Sequence, residues 1–323
     1  VTGKGAYALL QFIVKRVLSG IPVILIVMVL IFFIMRIIPG DPAAMILGDE
    51  ASIEEIEDLR EKMGLNDPLP VQFINYVKDI VSGNWGNSYH NGRPVFENIR
   101  KRLEPTILIV VYSTVISVVL GITLGILSAR FHNSFLDYTL TTVSVFGLSV
   151  PMFWFGVMIL FLFGVRLRWF PVQGYRTIAE VGLLGSLKYL TMPSVAVGLQ
   201  HVASITRYTR SMMLEVLGNN YIRTAHAKGL SERVVFYKHA LKNALSPVVT
   251  TIGFSMASML GGTVVAEMVF NIPGMGKLAY DSLIRRDYPQ EQAIILFMTI
   301  VFVVVNIVMD IMYKWLDPRI ELD

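Results

Sequence analysis

Residues 220–249 read NYIRTAHAKGLSERVVFYKHALKNALSPVV, a polar and basic segment set between two long apolar runs. Joining two membrane spans takes far fewer residues than this. Its first part, Arg223-Thr224-Ala225-His226-Ala227-Lys228, has helical character and leads into Gly229, with Glu232 and Arg233 just beyond. The segment has its own apolar face (Tyr221, Ile222, Ala225, then Val234, Val235 and Tyr237) and its own cations. That combination points to a docking element for a soluble partner on the cytoplasmic side of a membrane. A short helix ending at Gly229, with Lys228 in its last turn, puts the residue that tolerates a left-handed backbone and a cation where a helix C-terminus favours them. Ser231 stands where it can N-cap a second helix whose apolar face opens with Val234 and Val235. Such a rigid helix–turn–helix transmits force, because packed elements shift between discrete arrangements and do not deform smoothly. The plainer alternative is an amphipathic hairpin lying on lipid headgroups.

The composition around this segment is that of a membrane protein. Of 323 residues, 54% are hydrophobic and 16% charged, whereas a soluble domain has about 25% charged residues. A spanning helix needs roughly 20 mostly apolar residues, and six runs qualify: Val17–Ile38, Ile107–Ala129, Leu140–Val165, Leu187–Met213, Ala244–Met268 and Ala293–Met312. The fourth is interrupted by Pro193, Gln200 and His201, which a helix bundle tolerates when neighbouring helices satisfy the freed groups. The first run is too long for a signal-peptide core and is expected to stay in the mature protein. Lys and Arg cluster at Lys4, Lys15 and Arg16, at Arg207 through Lys242, and at Lys314 and Arg319. With an even number of spans, these three clusters place both termini and the 220–249 segment in the cytoplasm. Arg166, Arg168, Arg285 and Arg286 fall on the other side and depart from that rule.

The same orientation sends Pro39–Glu104 outside as a small extracytoplasmic domain. It opens with turn chemistry at Pro39-Gly40-Asp41-Pro42, followed by a helix over Ile53–Met63 that Ser52 and Glu55 begin as a capping box. A second amphipathic helix is expected over Val71–Val81, and a loop over Gly83–Tyr89. This domain either caps the bundle or contacts an external binding protein.

No catalytic constellation is visible. The chain has no cysteine, so it holds neither a disulfide nor a thiolate metal site. The five histidines (90, 132, 201, 226 and 239) lie on both membrane faces without metal-ligand spacing on any one helix. Pro273-Gly274-Met275-Gly276-Lys277-Leu278 looks superficially like a phosphate-binding loop. It has Asn271 where the first Gly belongs and Leu278 where the Ser or Thr belongs.

An ordered set of short motifs carries a resemblance over nearly the whole length. It comprises Arg36-Ile37-Ile38-Pro39-Gly40-Asp41-Pro42, Gly64-Leu65-Asn66-Asp67-Pro68-Leu69, Gly92-Arg93-Pro94-Val95, and Gly147-Leu148-Ser149-Val150-Pro151-Met152-Phe153-Trp154. Then follow Tyr208–Leu217, Ile222–Leu230, Asn271-Ile272-Pro273-Gly274-Met275-Gly276, Arg286-Asp287-Tyr288-Pro289 and Asp317-Pro318-Arg319-Ile320. The chain resembles a permease subunit of a binding-protein-dependent ABC importer of the dipeptide/oligopeptide/nickel family. Permeases of this kind share a cytoplasmic Glu-Ala-Ala, three residues, Gly, nine residues, Ile-x-Leu-Pro motif. Its Gly falls on Gly229 and its first three positions on Arg223, Thr224 and Ala225. Only Ala225 and Gly229 match literally, and His239, Leu241 and Lys242 occupy the Ile, Leu and Pro positions, a departure that fits the peptide/nickel branch.

The resemblance implies an all-α integral membrane fold of six transmembrane helices, with the small extracytoplasmic domain between the first two and a cytoplasmic coupling-helix loop between the fourth and fifth. In residues, 1–38 form the cytoplasmic N-terminus and first span, 39–104 the extracytoplasmic domain, and 105–323 a permease core whose coupling loop is 214–243. It implies a non-catalytic subunit that acts with a second homologous permease, two ATPase subunits holding ATP and Mg on the cytoplasmic face, and an extracytoplasmic binding protein, in the plasma membrane of a prokaryote. Arg223, Thr224, Ala225, Lys228, Gly229, Leu230 and Glu232 are the implied ATPase-coupling residues. The fifth span commonly lines the path in such importers, and Ser255, Met259, Thr263 and Glu267 share one stripe of it at a spacing of about four. Asp310, in the sixth span, is expected to pair with Arg207 or Arg210. The implied cargo is a di- or oligopeptide, with nickel or a nickel chelate as the alternative. A secondary transporter, the rival of another class, would show paired interrupted helices and intramembrane ion ligands, and neither is evident in the sequence.

Overall fold

The computed structural model of the chain describes residues 2–37, 40–48 and 51–316, with side chains placed for 11–37, 40–48 and 51–311. Ile38 and Pro39 of the first quoted motif, the Asp317–Ile320 motif and the side chains of Lys4 and Lys314 lie outside these described residues. Apart from one isolated bridge between Asn87 and Pro94, the described secondary structure is helical. The chain divides into two compact units, Val1–Leu103 with Lys277–Val304, and Glu104–Gly276 with Val305–Asp323.

In the first unit, α1 (Thr2–Ile37) approaches the middle of α13 (Tyr288–Leu316) closely: a Cβ on Gly20 would lie 2.6 Å from Val303. Asp41 N-caps the short α2 (Pro42–Leu47) by accepting from the Ala43 N–H at 3.0 Å. Burial pushes the Asp41 carboxyl up, but the hydrogen bond and charge of Arg60 outweigh that and hold it below its ordinary range. The capping box expected from the sequence is present. Glu55 N–H donates to Ser52 Oγ at 3.3 Å and Ser52 N–H to Glu55 at 2.8 Å, opening α3 over Ile53–Lys62. The next helix, α4, spans Leu69–Val81, two residues longer at its start than the sequence suggested, because Pro70 suits a first turn whose N–H groups are unpaired anyway. Phe32 is fully buried against Phe73 and Tyr76. Asp287 fastens the 88–90 loop, accepting from Ser88 Oγ and from the Tyr89 and His90 N–H groups, while Asn98 donates to Gln290 at 2.7 Å.

In the second unit α8 (Ile178–Leu217) is the central element. It packs against α6 (Phe135–Ser149), α7 (Met152–Ile159) and α11 (Leu241–Val269). Its backbone carbonyls at Ser194 and Gly198 accept from Ser113 and Ser117 of α5 (Val95–Arg130) at 3.0 and 2.9 Å. Small residues allow that approach: a Cβ on Gly121 would meet Ile205 at 2.7 Å.

The six expected spans are only partly reproduced. Among the described residues four helical stretches are long and apolar enough to cross a membrane: Gln11–Ile37, Val95–Arg130, Glu232–Val269 and Tyr288–Ile311. A fifth is reached if Phe135–Ser149 and Met152–Arg166, bent by 102°, count together. The third expected span is therefore not one straight helix. Pro151 lacks an N–H and pushes Val150 out of the helical region, to φ −81 and ψ 123. The fourth expected span lies within α8 beyond a kink at the non-helical Gly182 (φ 71, ψ 170), and its buried faces carry Ser194, Thr206 and Thr209. A helix covered by protein on several sides has less need of the apolar surface that marks a lipid-facing span.

Candidate functional site: the 214–244 loop and its bed

The 214–243 loop belongs wholly to the second unit. Its first helix, α9, is Asn220–Ala227 and stops in a Schellman motif: Gly229 N–H donates to His226 O at 2.9 Å and Leu230 N–H to Ala225 O at 3.4 Å. Gly229 sits at φ +75, the left-handed region that a glycine enters without strain. Ser231 has the extended backbone of an N-cap and its carbonyl accepts from the Val234 and Val235 N–H groups, but its hydroxyl caps nothing. The second helix of the pair is the beginning of a longer run. Glu232–Val234 passes through a π-helical turn, Val235–Ala240, into α11. The second helix of the pair and α11 thus form one continuous helical run, separated from α9 by the Gly229 turn.

Three of the six residues assigned to the apolar face turn inward. Ile222 is 2% exposed, Ala225 8% and Val235 1%, and they join Ala129, Met213, Ala240 and Ala244 in one cluster. Phe236, Leu241 and Leu217 pack against its edge. Burying an aliphatic side chain of this kind contributes about 1.5–3 kcal/mol, so the helix is seated on the ends of α5 and α8. Tyr221, Val234 and Tyr237 face out instead, with Leu230 beside them. Arg223, Thr224, Lys228, Glu232, Arg233 and Lys238 are exposed as well. The resulting surface is aromatic and basic, with Glu232 its lone carboxylate between 220 and 243. The sequence had placed Tyr221 and Tyr237 on the wrong side of this element. Their hydroxyls accept from Asn243 and Arg130, which the interval between them in the chain does not reveal.

Beneath this bed lies an ionic anchor that the sequence reading missed. Asp137, 1% exposed, accepts from Arg210 Nε and Nη2, each at 2.7 Å, from Ser128 Oγ and from the Asn133 N–H. Arg210 is therefore engaged by Asp137 and not by Asp310 as expected. The available signal was Ser134 three residues before Asp137, a helix-start pattern, and Ser134 indeed N-caps α6.

The proposed path stripe is buried inside the unit. Met259, Thr263 and Glu267 have no exposed surface and Ser255 is 7% exposed. Glu267 accepts from Thr106 Oγ1 at 2.6 Å, and Thr106 in turn accepts from the Met275 N–H at 2.8 Å. Gly274 is pressed against the same carboxylate, since a Cβ there would overlap it at 2.2 Å. The exposed stripe of α11 is a different one: Phe254, Ser258, Gly261, Val265 and Met268. Among the described residues no group of three or more His, Asp or Glu could hold a metal ion.

Comparison with known proteins gives this arrangement a context. Residues 121–322 match the family described as binding-protein-dependent transport system inner membrane component, and residues 9–110 match the N-terminal part of such membrane components. A probable peptide ABC transporter permease protein of Sinorhizobium fredii, y4tP, is 42% identical over 96% of this chain and 99% of its own length. The oligopeptide transport system permease AppB of Bacillus subtilis is 41% identical over 96% and 99%. The glutathione transport system permease GsiC of Escherichia coli K12 is 39% identical over 97% and 99%. Among solved structures, the inward-facing MetNI methionine ABC transporter superposes with a TM-score of 0.59 at 16% identity, covering 70% of this chain and 99% of that one, a likeness of fold.

Proposed function

The chain belongs to the binding-protein-dependent transport system inner membrane component family, and from that membership we propose that it forms one half of the translocation path of an ATP-driven peptide importer. Di- or oligopeptides are the cargo, in keeping with the relatives named for peptides, oligopeptides and glutathione. A second, homologous permease completes the path, two ATPase subunits bind ATP and Mg, and a binding protein delivers cargo from outside. In this reading α8 and the bent α6–α7 pair supply the remaining spans, giving six, with both termini in the cytoplasm and the 39–104 region outside.

The observation that carries the proposal is the seating of α9. One face is locked into the permease core by Ile222 and Ala225, and the other presents Arg223, Thr224, Lys228, Leu230 and Glu232 around the Gly229 turn. A helix bedded in this way moves as a unit with the ends of α5, α8 and α11, so displacement of a partner gripping its outer face reaches the spans directly. Ser255, Met259, Thr263 and Glu267 then act as the packed backing of the fifth span during that movement.

Reconstitution tests this. The purified chain alone is expected to hydrolyse no ATP, and the assembled complex to couple cargo-stimulated hydrolysis to peptide uptake. Hydrolysis by the homogeneous chain, or assembly that transports no peptide, would refute it.

A further inference from the structure

We propose that the break between α6 and α7, at Leu148–Pro151, lines the water-filled path of the permease and presents free backbone groups to the cargo; this rests on the importer reading above. Pro151 and the extended Val150 separate two helices that meet at 102°. The carbonyls of the last turn of α6 and the amides of Phe153 and Trp154 are thereby left without helical partners. Among the described residues no backbone hydrogen bond crosses the break. Among the described residues the Val150 carbonyl accepts from Gln200 Nε2 of α8 at 3.3 Å, and Ser149 Oγ donates back to the Val145 carbonyl at 3.1 Å.

The depth of the break follows from the ionic anchor. Asp137 and Arg210 fix α6 and α8 at one level, close to the His132 turn. Thirteen residues of α6 separate Asp137 from Val150, and ten of α8 separate Arg210 from Gln200. At 1.5 Å per residue these are about 20 and 15 Å. With the anchor at the cytoplasmic boundary, as the importer reading places it, both reach the middle third of a hydrocarbon core roughly 30 Å thick. Irregular backbone at that depth does not face lipid. It is either covered by protein or bathed by water in a cavity.

This unit does not cover it, because Ser149 and Pro151 are exposed. Gln200 and the half-buried His201 stand at the same level, and polar side chains at membrane depth mark a bundle interior or a water path. The orphan carbonyls of α6 sit at the negative end of its dipole, which suits the amide N–H and ammonium groups of a peptide. By contrast, the stripe through Glu267 is already closed by its own contacts.

Because the chain lacks cysteine, Ser149→Cys is a single, nearly isosteric probe. It is compared with Val119→Cys on α5, 58% exposed and nine residues from Ser128 of the same anchor. The assembled complex in opened membranes is treated with a charged, water-soluble methanethiosulfonate, and modification of this subunit is followed by mass. Ser149→Cys is expected to react at least about tenfold faster than the control, since only a wetted site reacts at this depth. A smaller ratio places the break in lipid or under the partner permease and overturns the proposal. Peptide uptake by the parent complex tests the importer reading separately, so the two failures are distinguishable.

Discussion

Arg210 of α8 holds Asp137 of α6 through two of its nitrogens, each 2.7 Å from a carboxylate oxygen. One turn further along α8 is Met213, which together with Ala129 beds α9. The pair thus ties three helix ends together immediately behind the surface proposed to meet the ATPases. Removing one partner of a buried pair costs roughly 3–5 kcal/mol, here toward the lower end because the Arg210 side chain is a quarter exposed. Asp137→Ala is expected to lower the melting temperature of the purified chain, and Asp137→Leu with Arg210→Leu to recover much of the loss. Equal stability of Asp137→Ala and the parent would show that the pair contributes nothing.

Gly229 is needed for its backbone and not for space. Its φ is +75 and no atom lies within 4 Å of where a Cβ would stand. Gly229→Val therefore strains the turn by about 1–3 kcal/mol without a steric clash. Gly229→Asn, which tolerates the left-handed region, is the matching control. The expected outcome is normal membrane insertion for both, with cargo-stimulated ATP hydrolysis lost only in Gly229→Val.

The α5–α8 seam predicts a position-dependent glycine effect. A Cβ on Gly125 would lie 2.6 Å from Thr209 Cβ and 2.7 Å from the Thr206 carbonyl, whereas one on Gly261 of α11 would meet nothing within 4 Å. Gly125→Ala is expected to destabilise by about 1–3 kcal/mol through overpacking. Gly261→Ala should be neutral or stabilising by up to about 1 kcal/mol, from helix propensity. Thermal unfolding of the two variants under the same conditions reads the difference, and equal melting points would disprove the close approach.

Orientation is open to a direct test. Asn87→Cys is expected to react with an impermeant reagent from outside intact cells, and Ser231→Cys only after the membrane is opened. The opposite pattern would reverse the assignment of the basic clusters to the cytoplasm.

Hydrophobic runs, the Ser52–Glu55 capping box and the turn at Gly229 could be read from the chain, because each depends on residues a few positions apart. Their physics is local: a side chain capping an N–H three residues on, or a backbone angle that suits glycine. The bend at Pro151 was half legible. The proline that breaks the helix is visible, but its depth depends on Asp137 meeting Arg210 across 73 residues. Arg210 illustrates the limit, since Asp310 and Asp137 are equally good partners on charge alone and only packing selects one. The stripe of α11 does so again. Spacing correctly grouped Ser255, Met259, Thr263 and Glu267 on one face, yet every face of a span is largely apolar, so periodicity gives no direction. The neighbours decided that direction, with Thr106 reaching Glu267 from α5 and Gly274 lying against its carboxylate.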